Sequence, residues 1–162
     1  MIYFTADQHF GHANIIEYCD RPFKNKDIMA NIIVKNHNSV VGQDDIVYII
    51  GDLSLVNTDG RNYLEKIIKS LNGTLHLIMG NHDRLRPFTY IDMGITSVHT
   101  SLEVGEFILN HDPAASCMDR ERTWLCGHIH NLFKYCKNVV NVGVDVWDFK
   151  PVAIDCIREI KK

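Results

Sequence analysis

The chain has 162 residues, 46% of them hydrophobic and 23% charged, with a formal net charge of -3. A chain of this length can bury roughly 70% of the surface its unfolded form exposes, so residues 1–162 are expected to form a single domain around a real core. The slight acidity excludes nucleic acid as an obligatory partner held by a basic excess. No apolar run approaches a membrane span, and the N-terminus opens on strand-like residues rather than a leader, so a cytoplasmic location without membrane contact is the default. The five cysteines, Cys19, Cys117, Cys126, Cys136 and Cys156, are odd in number and never spaced as Cys-x-x-Cys. They read as reduced thiols rather than disulfides or a zinc site.

Taken in order, Ile2 to Thr5 is a short apolar strand that ends at Ala6-Asp7-Gln8-His9. In an extended backbone, Asp7 and His9 point to the same face and can grip one cation. His12 and Asn14 open a short helix through Ile15, Ile16 and Tyr18, and Asp20-Arg21-Pro22-Phe23 is a turn. Asp27 is expected to cap a helix from Ile28 to about Val40, in which His37 is exposed. Ile46 to Ile50 is a continuous apolar run of the kind needed by a strand buried on both faces, and it stops at Gly51-Asp52. Thr58 and Asp59 can cap a helix with Leu64, Ile67, Ile68 and Leu71 on one stripe, closed by Asn72-Gly73. Leu75 to Met79 is the next strand, so Ile46 to Leu77 reads as a strand, helix, strand crossover in a parallel sheet. It ends at Gly80-Asn81-His82-Asp83, where glycine suits a turn over the end of a sheet.

Arg84 to Gly94 reads as a loop with a short helix. From Ser97 onward hairpins take over: Val98 to Glu103 pairs with Phe107 to Asn110 and delivers His111. Asp119-Arg120-Glu121-Arg122 is a solvated charge run. Thr123 to Cys126 stops at Gly127-His128-Ile129-His130, which repeats the two-residue spacing of Asp7 and His9. Leu132 to Cys136 and Val139 to Val142 form a further hairpin, and Val152 to Ile157 is a final strand.

Apolar runs therefore end, repeatedly, within two residues of a metal-binding side chain, and none begins that way. In sheets flanked by helices, ligands collect beyond the carboxyl ends of strands, so residues distant in sequence converge there. Asp7, His9, Asp52, Asn81, His111, His128 and His130 are too many ligands for one metal with open positions, but they suit two ions sharing a carboxylate. Asp52, with two oxygens, is the natural bridge. Two carboxylates neutralise only half the charge of two divalent ions, so an anionic phosphate would be drawn in. Imidazole and oxygen donors without thiolate point to manganese, iron, zinc, cobalt or nickel rather than calcium. His76 and His99 have no ligand-like neighbours.

With these residues assembled, the chain resembles the calcineurin-like metallophosphoesterase superfamily, in particular its compact single-domain bacterial and phage-type members. The resemblance rests on Asp7-x-His9, Gly51-Asp52, Gly80-Asn81-His82-Asp83, His111 and Gly127-His128-x-His130, together with Phe10-Gly11-His12, Asn14 and Arg21-Pro22-Phe23. It implies an α/β fold, a four-layer α-β-β-α sandwich of two mixed sheets flanked by helices. It implies that Asp7, His9, Asp52 and His130 hold one ion and that Asp52, Asn81, His111 and His128 hold the other. The reaction so implied is hydrolysis of phosphomonoesters or phosphodiesters by in-line attack of a hydroxide bridging ions about 3.5 to 4 Å apart. His82 would assist the leaving group, and Asp83 would fix its tautomer and favour its charged form. His12, Arg21 and Arg84 are candidate substrate contacts. Asp112 stands where the family often carries an aromatic residue, and Leu53-Ser54-Leu55 lacks a histidine that often follows Gly-Asp. The alternatives are a non-catalytic metal-binding interaction scaffold of the same fold, which could lose ligands freely, and a nuclease, which needs a basic groove.

Overall fold

A computed structural model describes residues 1–160. The apolar runs of the first half become four parallel strands, β1 (Ile2–Thr5), β2 (Ile46–Ile50), β3 (Thr74–Ile78) and β4 (Ser97–His99), lying side by side in that order. A second sheet holds β5 (Leu102–Val104), β6 (Phe107–Leu109), β7 (Thr123–Cys126), β8 (Tyr135–Cys136) and β9 (Val139–Asn141), in the order β5-β6-β7-β9-β8. Its inner strands β6, β7 and β9 are parallel, while β5 and β8 pair antiparallel at the edges. The short strand β10 (Val152–Ala153) closes the first sheet antiparallel to β1. Both sheets are thus mixed, and helices flank them: α1 (Ile15–Tyr18), α2 (Lys26–Asn38), α3 (Arg61–Ile68), α4 (Pro87–Met93) and α5 (Ile154–Ile160).

The alternation of side chains explains why the strands of the first sheet are apolar throughout. Phe4, Ile50 and Ile78 pack with Phe107, Leu109, Leu125 and Val140 of the second sheet. Val47, Ile49, Leu75 and Leu77 pack instead with Met29 and Ile33 of α2, Leu64 and Ile68 of α3, and Tyr90 and Met93 of α4. Each such side chain contributes about 1.5–3 kcal/mol on burial, so the strands are fixed from both faces and their carboxyl ends are held in register. No helix among the described residues is long and apolar enough to cross a membrane. All five cysteines are free.

Local chemistry overrode several sequence expectations. The cap of α2 is Asn25, whose side chain accepts hydrogen bonds from the backbone of Asp27 and Ile28; Asp27 is already inside the helix. Thr58 and Asp59 form a 3-10 turn ahead of α3 rather than capping it. The Val98 to Glu103 run is not one hairpin strand: its first part joins the first sheet as β4 and its last part begins the second as β5. Val152 to Ile157 is strand for two residues only, because Ile154 and Ile157, three apart, turn one helical face into the core. His37 is buried, and its Nε2 lies 2.9 Å from the Asn72 carbonyl, which ties α2 to the end of the α3 segment.

Candidate metal centre

Parallel strands bring their carboxyl ends to one edge, and that edge carries all seven candidate ligands. Asp7 and His9 follow β1, Asp52 follows β2, Asn81 follows β3, His111 follows β6, and His128 and His130 follow β7. Five of them, Asp7, His9, Asp52, His128 and His130, have φ between 47° and 73°, the left-handed region that non-glycine residues rarely occupy. Backbone hydrogen bonds continue the ladder past the strands and hold this geometry: Asp7 and His9 donate to the carbonyls of Gly51 and Asp52, each at 3.0 Å.

Asp52 sits at the middle. Its Oδ2 lies 3.6 Å from His9 Nε2 and 3.4 Å from His111 Nε2, and its Oδ1 accepts the backbone N–H of His82 at 2.9 Å. Asn81 Oδ1 lies 3.1 Å from His111 Nε2 and 3.0 Å from His128 Nδ1. Donor atoms of Asp7, His9 and His130 form one group within 4.8 Å, and those of Asp52, His111 and His128 form another. Two glycines make the approach possible. A Cβ on Gly51, at φ 79°, would run into the His111 ring, and one on Gly80 would run into the Asp52 carboxylate.

The electrostatics are those of a site short of positive charge. Burial raises Asp7 to about 6, although His111 and His130 oppose it. Burial also lowers His9 to about 2, so its ring stays neutral with a lone pair free. His9 Nε2 is buried with no hydrogen-bond partner. His111 behaves oppositely: burial pushes it down, but Asp52 outweighs burial and raises it to about 9. Asp52 is correspondingly held at about 2, its own burial overcome by His111. His111 Nδ1 lies 2.9 Å from the Ile50 carbonyl, an arrangement that leaves Nε2 to face the centre. An orphaned imidazole nitrogen and a buried carboxylate reluctant to ionise are relieved by cations, and a mixed nitrogen and oxygen donor set suits divalent transition metals.

A layer behind the ligands was missed at the sequence level. Asp145 accepts two hydrogen bonds from Arg21, from Nε and Nη2, each at 2.7 Å, and its Oδ2 lies 3.5 Å from His130 Nδ1. Arg21 also donates to the backbone carbonyls of Asp7 at 2.7 Å and Gln8 at 3.2 Å. Arg21 is therefore not a substrate contact; at 4% exposure it is a buried strut joining the β1 loop to the β9 loop. Asn141, fully buried, donates to the carbonyls of His130 at 2.7 Å and Phe133 at 2.9 Å. Asp145 follows parallel strand β9 but stands beyond the two-residue reach of the strand-ending rule that found the other ligands. Cys19 lies near His130 and Asp145, but burial raises its thiol to about 11 and the Arg21 guanidinium occupies Asp145.

The other expected residues divide. His82 lies beside the centre, with Nε2 4.0 Å from Asp52 Oδ2. Asp83 does not orient it: the carboxylate accepts backbone N–H groups of Ser54 at 3.2 Å and Gly80 at 2.9 Å, while His82 Nδ1 has no partner. Asp83 is a staple of the β3 loop, and burial raises it to about 7. His12 borders the centre, its Nδ1 3.3 Å from His9 Nδ1. Arg84 lines a separate hollow with Arg61 and Arg86. His76 and His99 meet only through Ser97 Oγ, at 2.6 and 2.8 Å.

No family model matches the chain. The uncharacterized protein MJ1445 of Methanocaldococcus jannaschii is 37% identical over 168 residues, covering 98% of this chain and 90% of that protein. The Gene 66 protein of Mycobacterium phage L5 is 26% identical over 182 residues, covering 90% and 86%. Among solved structures, the protein of unknown function AQ665 from Aquifex aeolicus shares the fold with a TM-score of 0.79 at 24% identity, covering 99% of this chain and 98% of that one. A novel archaeal phosphodiesterase shares it with a TM-score of 0.50 at 17% identity, covering 88% and 81%. This places the two mixed sheets in a phosphoesterase-like fold, and by its near full-length identity the chain belongs to the family of the archaeal protein MJ1445.

Proposed function

We propose that the chain is a binuclear metal-dependent phosphoesterase of the calcineurin-like type, a single four-layer domain that hydrolyses phosphomonoesters or phosphodiesters. The observation that carries this reading is the convergence of imidazole, amide and carboxylate donors from separate strand ends on Asp52, with His9 Nε2 left unpartnered beside it. In this reading Asp7, His9, Asp52 and His130 hold one ion, and Asp52, Asn81, His111 and His128 hold the other. Such a pair, manganese first and iron, zinc, cobalt or nickel as alternatives, supplies an acidified water and positive charge for the transferring phosphoryl group. His82, half exposed and turned to the same hollow, gives the leaving oxygen a proton. Asn81 Oδ1 lies within 3.1 Å of both His111 Nε2 and His128 Nδ1, which gathers the three donor atoms of the second group around one point. Arg21 and Asp145 keep the Asp7 backbone and the His130 ring in place.

The test is hydrolysis of p-nitrophenyl phosphate and bis-p-nitrophenyl phosphate by manganese-loaded protein, compared with Asp52→Asn and His82→Ala. Activity in the wild type and a loss in both variants is expected; equal rates in all three rule the reading out.

A further inference from the structure

The metal centre opens into a hollow of about 450 Å³, within the range of small-molecule sites. His9, His82, His128 and His130 of the centre line it, and the rest of the lining is mainly apolar, with His12 and Asn131 as polar members. Ile15 and Tyr18 of α1 and Ile129 and Leu132 of the loop after β7 share in the lining. Tyr18 and Leu132 are 70% and 73% exposed, an arrangement unfavourable for large apolar side chains unless something covers them. The Tyr18 ring meets His12 in a T-shaped contact, with ring centroids 6.1 Å apart and planes at 77°, and most of its surface is left to solvent.

Among the described residues, no lysine, arginine, aspartate or glutamate lines this hollow. Arg21 is locked onto Asp145 behind it, and Arg61, Arg84 and Arg86 line a different concavity. A phosphoryl group at the metal centre therefore has its organic part beside an aromatic face and a leucine, with no fixed cation to receive a second anionic group.

Resting on the phosphoesterase reading above, we infer that the hollow takes the flat, uncharged ring of an aromatic phosphate ester, with Tyr18 stacked on one face and Leu132 against the other. The ring belongs to an aryl alcohol or to a nucleobase, and the two sources are separated by experiment.

Manganese-loaded protein is assayed with 1-naphthyl phosphate, a nucleoside 5′-monophosphate and glycerol 2-phosphate. In parallel, binding of 1-naphthylphosphonate and methylphosphonate is measured by calorimetry. A ring stacked on an aromatic side chain is worth about 1–3 kcal/mol, so Tyr18→Ala is expected to cut the preference for ring over glycerol ester about fivefold to a hundredfold. Tyr18→Phe should restore it, and Leu132→Ala should cut it less. Both Tyr18 and Leu132 are surface residues, so these variants fold. Greater kcat/KM for the naphthyl or for the nucleoside ester identifies the source. An unchanged ring preference in Tyr18→Ala and Leu132→Ala, in hydrolysis and in phosphonate binding, overturns the inference while leaving the phosphoesterase reading intact. If no ester is hydrolysed, that reading falls, and Tyr18-dependent binding of the naphthyl over the methyl phosphonate alone decides for or against the ring site.

Discussion

The Arg21 and Asp145 pair offers the sharpest test of how the centre is held together. Both side chains are almost completely buried, at 0% and 3% exposure, and two hydrogen bonds of 2.7 Å join them. Asp145→Asn keeps the shape and removes the charge, leaving a guanidinium in the interior with only neutral acceptors, the new amide oxygen and the Asp7 and Gln8 carbonyls. Stranding one member of a buried ion pair costs about 3–5 kcal/mol, against about 0–1 kcal/mol for an exposed pair. At about 2–4 °C per kcal/mol for a chain of this size, the melting temperature of Asp145→Asn should fall by roughly 10 °C. Replacing both partners, as Arg21→Met with Asp145→Leu, removes the stranded charge and should cost less than Asp145→Asn alone. Metal affinity should behave differently, because His130 loses its orienting carboxylate in both variants, and loss of such a partner weakens metal binding about 10–100-fold. Urea unfolding and manganese titration measure the two effects. A loss below about 1 kcal/mol in Asp145→Asn, or recovery of manganese affinity in the double variant, would refute the reasoning.

Gly80→Ala drives a Cβ into the Asp52 carboxylate and backbone, so manganese affinity should drop at least about tenfold; wild-type affinity would show that the loop can yield. His82→Ala should lower kcat about 10²–10⁴-fold while the bound-metal count, read by atomic absorption, stays that of the wild type. Metal binding must displace the proton that Asp52 holds on His111, so affinity should rise as pH approaches 9, and calorimetry in buffers of different ionisation enthalpy should show proton release. For chelated protein the raised His111 value means that its contribution to stability is complete below about 6.5 and is lost as pH rises through about 9, while the Asp52 contribution is lost as pH falls toward about 2. Asn141→Ala strands the His130 and Phe133 carbonyls and should cost about 1–3 kcal/mol by urea unfolding.

The core strands and the candidate ligands were legible in the sequence because both obey local rules. A run such as Ile46 to Ile50 has one reading when its length rules out a membrane span, and the polar residue after it inherits its position from the strand. What the sequence hid depends on contacts between distant segments. Arg21 in a turn looks like a surface cation until Asp145, 124 residues away, is seen to enclose it. Asp83 next to His82 looks like its partner, but adjacent side chains diverge, and the carboxylate turned back to Ser54. The tail from Val152 carries β-branched residues that propensity assigns to a strand; burial of Ile154 and Ile157 on one face decided for helix.

The left-handed residues at the strand ends carry a cost of their own. Each non-glycine residue in that region costs on the order of 1–3 kcal/mol, with aspartate and histidine at the low end, so five of them at one edge are comparable to the whole stability of a domain. Packing alone gives no reason to place Asp7, His9, Asp52, His128 and His130 there, since apolar burial is already complete in the strands behind them. The geometry persists because it is held from several sides at once: Gly51 and Asp52 carbonyls under the β1 loop, Asp7 oxygens on the His128 N–H at 3.0 Å, and Asn141 under the His130 carbonyl. Strain of this kind re-aims the side chains past the strand ends, Asp7 with His9 and His128 with His130, toward the centre rather than along the faces of the sheets. The fold therefore spends its surplus of sheet packing on aiming donor atoms, and the point at which they are aimed lies between His9, Asp52 and His111.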